Sequence, residues 1–179
     1  MTIYLIRHGK TEANERHLYC GSTDLSLSKS GREELCKLNY DIEQVRFLIS
    51  GMKRTRETME ILFGDVPYEV DDRFREVDFG VFEMQSYENL KDRPDYQTWL
   101  SGDNEANIPP RGESGQQMRA RVLAALADIQ ENTCIITHGG VIAAIMESLF
   151  PQEGKNRYQW QPKPGCGYAV WADGYEILE

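Results

Sequence analysis

Two histidines and two arginines in this chain occur where their side chains could act together on a phosphate group. His8 follows Arg7 at the end of one short apolar run, His138 follows a second run, and Arg54 comes shortly after a third. A neutral imidazole can act as a covalent nucleophile in phosphoryl transfer, and the planar guanidinium of arginine binds phosphate oxygens through paired hydrogen bonds. Unperturbed histidine has a pKa of ~6.5, and nearby arginines lower that pKa and favour the neutral form. These residue types are therefore suited to phosphoryl chemistry.

The strands that carry these residues are predicted from apolar periodicity and from turn signals. Short apolar runs predict buried strands over Ile3–Ile6, Val45–Ser50 and Thr133–Thr137. Near the end of the chain, Asp173-Gly174 is a strong turn signal that predicts a hairpin. Its two strands are expected at Tyr168–Trp171 and Tyr175–Leu178.

Helix signals lie between the predicted strands. They are the capping-box pattern Ser30-x-x-Glu33 with a helix through about Asn39, helical spacing over Met52–Phe63 closed by Gly64, a second capping box at Ser114-x-x-Gln117, and the run Gly140–Phe150 stopped by Pro151. Strands that alternate with helices predict an α/β fold with a largely parallel sheet, whose ligands bind at the carboxyl ends of the strands. The histidines and arginines follow those ends, where helix N-termini also present free N–H groups to an anion.

Composition excludes several classes of protein. The chain has 179 residues, a length typical of one domain, and its formal net charge is −9. That acidic balance argues against a nucleic acid or an anionic membrane as partner. No apolar stretch approaches the ~18 residues of a membrane span, and the N-terminus lacks the pattern of a secretory signal. The four cysteines show neither metal-site nor disulfide-framework spacing. We expect a cytoplasmic protein with free thiols that acts on a small molecule, as a monomer or a homodimer.

A longer pattern surrounds the histidines and arginines and extends through most of the chain. Its blocks are LIRHGKTEAN at 5–14, Gly21-x-x-Asp24-x-x-Leu27-x-x-x-Gly31, Ser50-x-x-x-Arg54-x-x-x-Thr58, Arg75-Glu76-x-x-Phe79-Gly80-x-x-Glu83, Gly112-Glu113-Ser114 and Thr137-His138-Gly139-Gly140. In this order the blocks resemble those of the histidine phosphatase superfamily, also called the phosphoglycerate-mutase-like family. The resemblance implies a three-layer α/β/α sandwich with a mostly parallel central sheet, as a single domain over residues 1–179.

The resemblance also implies roles for individual residues. It identifies His8 as the nucleophile and Glu76 as the general acid that protonates the leaving oxygen and then activates water. The residues implied to bind the substrate are Arg7, Asn14, Gly21, Arg54, His138 and Gly139, and of these Arg7, Arg54 and His138 also belong to the catalytic set. No metal and no other cofactor is expected, because two arginines and a second histidine supply the positive charge that Mg²⁺ supplies elsewhere.

The acid has alternatives in the sequence. Glu76 is one of 29 acidic residues, so the alternative to a catalytic role is an ordinary solvated carboxylate on the surface. Asp78 and Glu83 lie close enough in the sequence to take the role of acid instead.

Other positions are open between structural and functional roles. Lys10 stands where many family members have glutamate, and either binds an anionic group of the substrate or pairs with Glu12 or Glu15. The polar segment at about 80–112 is predicted to be a lid or an insertion. Trp99, within that segment, is predicted to pack in the lid rather than to stack on a substrate.

Hydrolases and mutases of the family share this chemistry and differ in what accepts the phosphoryl group. The short chain and the segment from Phe79 to Ser114 resemble the phosphatase branch that includes α-ribazole phosphatase. This favours hydrolysis of a small phosphomonoester through a phosphohistidine intermediate, with α-ribazole 5'-phosphate as a candidate substrate. The alternatives are a 2,3-bisphosphoglycerate-dependent phosphoglycerate mutase and a non-catalytic binder of phosphorylated ligands. A binder would not need both a nucleophile and an acid.

Overall fold

The computed structural model describes all 179 residues and contains one central six-stranded sheet. The strands are β1 (Ile3–Arg7), β2 (Arg46–Ile49), β3 (Glu69–Val70), β4 (Thr133–Thr137), β5 (Gly167–Trp171) and β6 (Gly174–Leu178). They lie in the order β3-β2-β4-β1-β5-β6. The first four strands in this order pair in parallel, whereas β5 pairs antiparallel with both of its neighbours, β1 and β6. The predicted α/β fold with a mostly parallel sheet is confirmed, and so is the C-terminal hairpin.

Helices cover both faces of this sheet. The α-helices are α1 (Glu12–Glu15), α2 (Lys29–Leu35), α3 (Lys53–Phe63), α4 (Tyr87–Leu90), α5 (Pro94–Leu100), α6 (Gly115–Ala127), α7 (Gly139–Leu149) and α8 (Arg157–Trp160). Single 3₁₀ turns occur at Asp72–Phe74, Gly80–Phe82 and Pro151–Glu153. On β4, Ile135 packs into the core on the side of α6 and α7, whereas Cys134 and Ile136 pack on the opposite side with Met59 of α3. Side chains of one strand point alternately to the two faces, so this arrangement gives the predicted three layers.

Most predicted helix boundaries are confirmed to within one or two residues, but the first is wrong. Helix α2 is capped by Ser28, whose hydroxyl accepts from the Gly31 N–H, and it ends at Leu35. The Ser28 N–H donates to Lys10 O at 2.9 Å, which fixes the backbone before the helix begins. The hydroxyl of Ser30, the predicted cap, instead contacts the carboxylate of Glu15.

The second capping box occurs as predicted. The hydroxyl of Ser114 accepts from the Gln117 N–H at 3.1 Å, and the side-chain oxygen of Gln117 accepts from the Ser114 N–H at 2.9 Å. Met118, Val122 and Ala125 then face the core along α6. This cap fixes the start of α6.

The segment at 80–112 has an apolar core of its own. Phe82, Leu90 and Tyr96 are buried together, and Tyr19 and Trp99 pack against them. The hydroxyls of Tyr19 and Tyr96 lie 2.7 Å apart, so the segment is tied to the loop after α1. The role of this segment as a lid stays a prediction.

No helix combines the length and the apolar character that crossing a membrane requires. All four cysteines are free, and Cys134 is buried within β4, as expected from its apolar surroundings.

Candidate active site

Three parallel strands bring the predicted residues to one edge of the sheet. His8 follows β1, the Ser50-to-Arg54 segment follows β2, and His138 follows β4, which lies between β1 and β2. The two imidazole rings lie 5.1 Å apart between centroids. His8, Arg54 and His138 are all buried, at 6%, 1% and 0% exposure. The sequence patterns therefore converge in space, as predicted from the carboxyl-end rule.

Backbone geometry fixes the tautomer of His8. Its Nδ1 atom lies 2.7 Å from the carbonyl oxygen of Gly9, and a carbonyl oxygen can only accept a hydrogen bond. Nδ1 must therefore carry the proton, which leaves the lone pair of a neutral ring on Nε2. Gly9 is itself held because its N–H donates to the Thr58 hydroxyl at 2.9 Å. The ring thus presents a nucleophilic nitrogen in a defined direction.

Burial and charge keep this ring neutral. Removal from water, followed in importance by the positive charges of Arg54 and Arg7, holds the pKa of His8 well below its ordinary value of 6.5. The hydrogen bond to Gly9 acts in the opposite direction but does not reverse the shift. A depressed pKa preserves the unprotonated Nε2 that nucleophilic attack needs.

His138 is held by two polar neighbours on opposite sides of its ring. Arg54 Nε donates to its Nδ1 at 3.3 Å, and its Nε2 lies 2.8 Å from the Ser50 hydroxyl. Burial first, and then the charge of Arg54, lowers the pKa of His138 well below 6.5. Because Arg54 can only donate, Nε2 carries the proton of neutral His138 and donates a hydrogen bond to Ser50. The expectation that His138 supplies positive charge is therefore wrong, because burial and Arg54 keep the ring neutral.

Arg54 is also tied to the loop that precedes α2. Its two terminal nitrogens donate to Gly21 O and Thr23 O, each at 2.8 Å. Its charge lies beside both histidines while its position is set by backbone carbonyls. Burial lowers the pKa of Arg54 from its usual value, but an arginine guanidinium stays charged near neutral pH.

Arg7 and Asn14 each keep a donor available. Arg7 Nη1 donates to Pro162 O at 2.8 Å, and its buried Nε has no partner. The amide oxygen of Asn14 accepts from both the N–H and the hydroxyl of Thr11, so the Asn14 NH₂ group is left to donate. Unused donors of this kind suit the oxygens of a phosphoryl group.

Glu76 lies at the start of α7, next to the second histidine. One carboxylate oxygen accepts from the Gly140 N–H at 2.9 Å, and the other accepts from the Val77 N–H at 3.0 Å. A Cβ on Gly140 would lie 2.4 Å from a Glu76 oxygen, so only glycine lets the carboxylate approach this closely. Glu76 is therefore a half-buried carboxylate bound to the start of α7 and not a freely solvated surface residue, and its role as the acid stays a prediction.

The two alternative acids have structural partners instead. The Glu83 carboxylate accepts from the N–H groups of Gly21 and Ser22, both at 2.9 Å, and from the Thr23 hydroxyl at 2.6 Å. Asp78 accepts from the Ser22 hydroxyl and the Gly80 N–H, both at 2.8 Å. These contacts hold the loop at Gly21–Thr23 and the turn at Gly80, whereas the contact of Glu76 with Gly140 ties it to the helix that follows His138.

A family model described as the histidine phosphatase superfamily (branch 1) matches residues 3–175 of this chain. The chain belongs to this superfamily. The match covers every block of the sequence pattern and includes all residues described above.

Individual relatives in the superfamily are named for different activities. The chain is 29% identical to the adenosylcobalamin/alpha-ribazole phosphatase of Escherichia coli (strain K12), over 95% of this chain and 89% of that protein. It is 32% identical to the 6-phosphofructo-2-kinase/fructose-2,6-bisphosphatase of Gallus gallus, over 80% of this chain and 32% of that protein. A crystal structure of phosphoglycerate mutase from Thermus thermophilus is similar with a TM-score of 0.81 and 28% identity, over 100% of this chain and 99% of that one.

Some residues of the superfamily pattern have contacts that the sequence did not indicate. Lys10 pairs with Glu34 at 2.8 Å, and not with Glu12 or Glu15. Gly21 is held by the Glu83 carboxylate, and a Cβ there would lie 1.7 Å from Val77 O, so glycine is required for this close approach.

Gly139 lies against a site residue, whereas Trp99 lies in the neighbouring segment. Gly139 is the first residue of α7, and a Cβ on it would lie 3.1 Å from Arg7 Cζ. Trp99 packs against the buried aromatic residues, as predicted, but it also lines a cavity of about 220 Å³ beside the site.

Sequence analysis missed Arg121 on α6. Its guanidinium donates to three backbone carbonyls of the segment that ends at Glu76, and it pairs with Glu113. An arginine on an amphipathic helix usually belongs to the solvated face, so local sequence carried no signal for these contacts.

Proposed function

We propose that this protein hydrolyses a small phosphomonoester through a phosphohistidine intermediate on His8. The observation that carries the proposal is the 2.7 Å contact from His8 Nδ1 to Gly9 O, which leaves Nε2 as the lone-pair nitrogen. Nε2 attacks phosphorus, and the bond from phosphorus to the ester oxygen breaks. Protonated Glu76 gives its proton to the departing oxygen, which leaves as an alcohol.

The second half-reaction returns both groups to their starting state. The Glu76 carboxylate accepts a proton from a water molecule, and the water oxygen attacks phosphorus. The bond from phosphorus to Nε2 breaks, and its electron pair returns to the imidazole of His8. Inorganic phosphate leaves, and Glu76 is protonated again for the next ester.

Positive charge at this site comes from the protein in the proposal. Arg7 and Arg54 supply this charge, neutral His138 lies beside Arg54, and the N-terminus of α7 adds N–H groups. Asn14 adds a neutral donor through its amide nitrogen. Phosphoryl transfer depends mainly on positioning and charge stabilisation, so this arrangement supports turnover without a metal ion.

The cavity beside the site supports a leaving group that contains a planar ring. It adjoins the proposed catalytic residues, because Val77 of its lining follows Glu76, and Gln161 of its lining approaches Gly139, as Arg7 also does. Half of its twelve lining residues are hydrophobic, with aromatic rings at Tyr19, Phe79, Trp99 and Tyr158. Aromatic walls of this kind bind planar ring systems by stacking.

The charges in the cavity disfavour a second anionic group on the substrate. Arg157 is its single cationic lining residue and forms an ion pair with Glu105, and the Glu113 carboxylate is paired with Arg121, so the lining offers no unpaired cation to such a group. An uncharged nucleoside-like leaving group fits this lining better than phosphoglycerate does. With the named phosphatase relatives, this makes α-ribazole 5'-phosphate the candidate substrate, because α-ribazole joins a planar base to ribose.

A 2,3-bisphosphoglycerate-dependent phosphoglycerate mutase is the second candidate function. It is supported by the similar structure that is named a phosphoglycerate mutase and aligns over 99% of its own length. The short length of the present chain therefore does not separate the two activities. What separates them is the group that accepts phosphate from His8, which is water in one case and a second substrate hydroxyl in the other.

A substrate panel tests the proposal. Purified protein would be incubated in EDTA with α-ribazole 5'-phosphate, glycerol phosphate, 3-phosphoglycerate and p-nitrophenyl phosphate, and phosphate release would be measured. We expect the highest kcat/KM for α-ribazole 5'-phosphate. Interconversion of phosphoglycerates that depends on 2,3-bisphosphoglycerate would support the mutase, and binding of all four without turnover would support a non-catalytic binder.

A matched pair of tryptophan variants tests the role of the cavity. Trp99→Ala should lower kcat/KM for α-ribazole 5'-phosphate about 10-fold, as expected for loss of one ring stack, with a smaller loss for glycerol phosphate. Trp171→Ala serves as the control, because Trp171 lies 40% exposed at the end of β5. Equal losses for the two esters would contradict stacking on Trp99.

A further inference from the structure

The acid segment that ends at Glu76 has little regular structure of its own. A 3₁₀ turn covers Asp72–Phe74, and the chain then continues through Arg75 to Glu76 without a strand or helix. Loops without ladder hydrogen bonds depend on side chains to satisfy and fix their backbone groups. The position of the Glu76 carboxylate therefore depends on what holds this backbone.

Arg121 binds this backbone at several points. Its Nη1 atom donates to Arg73 O and to Arg75 O, each at 2.7 Å, and its Nη2 atom donates to Glu76 O at 3.1 Å. The remaining carbonyl of the run, Phe74 O, accepts from the Thr137 hydroxyl at 2.7 Å. Each carbonyl from 73 to 76 is thus bound by a side chain from α6 or β4.

Arg121 is in turn oriented by Glu113. Its Nε and Nη2 atoms donate to the two carboxylate oxygens of Glu113 at 2.7 Å each, which is the bidentate geometry of a strong pair. The Glu113 N–H donates to Asp78 O at 2.9 Å, just after the acid segment. The pair is about three-quarters buried, so the guanidinium has a defined position between α6 and the segment.

We infer that Arg121 is a positioning residue that holds Glu76 in place for proton transfer. The inference rests on the role proposed above for Glu76. Arg121 contacts only the backbone of Glu76 and is not proposed to touch the substrate. The planar fork with five donors is needed here, because a lysine ammonium has three donors at a single point and cannot reach the same carbonyls and Glu113 together.

Loss of this fork should mimic a weakened acid and not a damaged fold. Proton donation matters most for an ester with a basic leaving oxygen and least for p-nitrophenolate, which leaves readily as an anion. Arg121→Met keeps the aliphatic stem but removes every donor. We expect kcat/KM for glycerol phosphate to fall about 10- to 100-fold, a loss no larger than that expected when a general acid is removed. Turnover of p-nitrophenyl phosphate should change much less.

Arg119 provides a matched control on the same helix. It also pairs with a glutamate, Glu147 at 3.3 Å, but it lies two residues from Arg121 and has no contact with the acid segment. Arg119→Met should leave the ratio of the two kcat/KM values unchanged. A similar change of the ratio in both variants would overturn the inference.

A double-mutant cycle separates positioning of Glu76 from other effects. If Arg121 acts through Glu76, Arg121→Met should cause little further loss in a Glu76→Gln background. Independent, multiplying losses would overturn the inference, and so would equal losses of Arg121→Met on both esters. If Glu76→Gln itself shows no dependence on the leaving group, the proposed acid fails first, and the inference fails with it.

A second variant keeps the test decisive if Arg121→Met does not fold. Glu113→Gln removes the charge that orients Arg121 but retains the size of the side chain and all donors of the arginine. It should show the same selective loss on glycerol phosphate, to a smaller extent. A folded Glu113→Gln protein, verified by its melting curve, with an unchanged ratio would contradict the inference.

Discussion

The carboxylate of Glu76 accepts a hydrogen bond from the Gly140 N–H at 2.9 Å. Gly140 lies in the first turn of α7, two residues after His138, whereas Glu76 lies in a loop that precedes α6 in the sequence. The contact therefore places the proposed acid at the start of α7. A hydrogen bond from a backbone N–H holds a carboxylate oxygen in a defined position. The contact therefore fixes the carboxylate that the proposal uses in both half-reactions.

Gly140→Ala tests this placement sterically. The new Cβ would lie 2.4 Å from a Glu76 oxygen, so the carboxylate must move. We expect a drop in kcat/KM for glycerol phosphate with a smaller drop for p-nitrophenyl phosphate. Steady-state kinetics on both esters would measure it, with the melting temperature as a control for folding. An unchanged ratio in a folded variant would show that the position of Glu76 is unimportant.

Glu76→Gln tests the acid directly. The amide keeps the shape of the side chain but cannot donate a carboxylic proton, so the loss should be largest where the leaving oxygen is most basic. We expect a loss of about 10²–10⁴-fold for sugar phosphates and much less for p-nitrophenyl phosphate. The comparison uses kcat/KM or single turnovers, where phosphorylation of His8 limits the rate. Equal losses would indicate electrostatic or structural damage instead.

The two buried histidines should make the fold sensitive to acid. Both have pKa values held below 6.5 by burial and by arginines, whereas in the unfolded chain they titrate near ~6.5. Below that pH the unfolded state binds more protons, so the free energy of unfolding falls as the pH falls. Each histidine can contribute up to about 1.4 kcal/mol per pH unit to this slope.

Melting temperatures between pH 7.5 and 5 would measure this dependence. His8→Asn and His138→Asn should each flatten the slope, because each removes one proton that the unfolded state takes up. His17→Asn is the control, since His17 is exposed. A slope that stays the same in the two buried variants would contradict neutral, buried imidazoles.

Metal removal tests the source of positive charge. The described residues include no group of three or more histidine, cysteine, aspartate or glutamate side chains that could hold a metal ion. We expect turnover of glycerol phosphate to be unchanged after exhaustive treatment with EDTA. A loss of activity that only Mg²⁺ or Zn²⁺ restores would show that the charges of Arg7 and Arg54 are insufficient.

Sequence could predict the parts of this protein that depend on local pattern. The run Thr133–Thr137 is β4 to the residue, and the helix predicted at Gly140–Phe150 occurs at Gly139–Leu149. Strands that alternate with helices place residues after each strand at one edge of the sheet, and this rule predicted the meeting of His8 and His138. The ring centroids of the two histidines lie 5.1 Å apart, and this proximity follows from the strand topology alone.

What the sequence could not predict depends on contacts between distant segments. The sequence pattern predicted Ser30 as the helix cap, but Ser28 caps α2, and its N–H is held by the distant carbonyl of Lys10. The partner of Lys10 itself, Glu34, lies 24 residues away. The contacts of Arg121 could not be predicted for the same reason, because the carbonyls that it binds are 45 to 48 residues away in the sequence.

Trapping the intermediate tests the central claim, that His8 carries the phosphoryl group. The protein would be mixed with a ³²P-labelled phosphomonoester, quenched at alkaline pH within one turnover and analysed by peptide mapping. We predict an acid-labile, alkali-stable label on the peptide that contains His8, and no label in His8→Ala. A label that persists in folded His8→Ala, or that maps to His138 in the unsubstituted protein, would contradict the account.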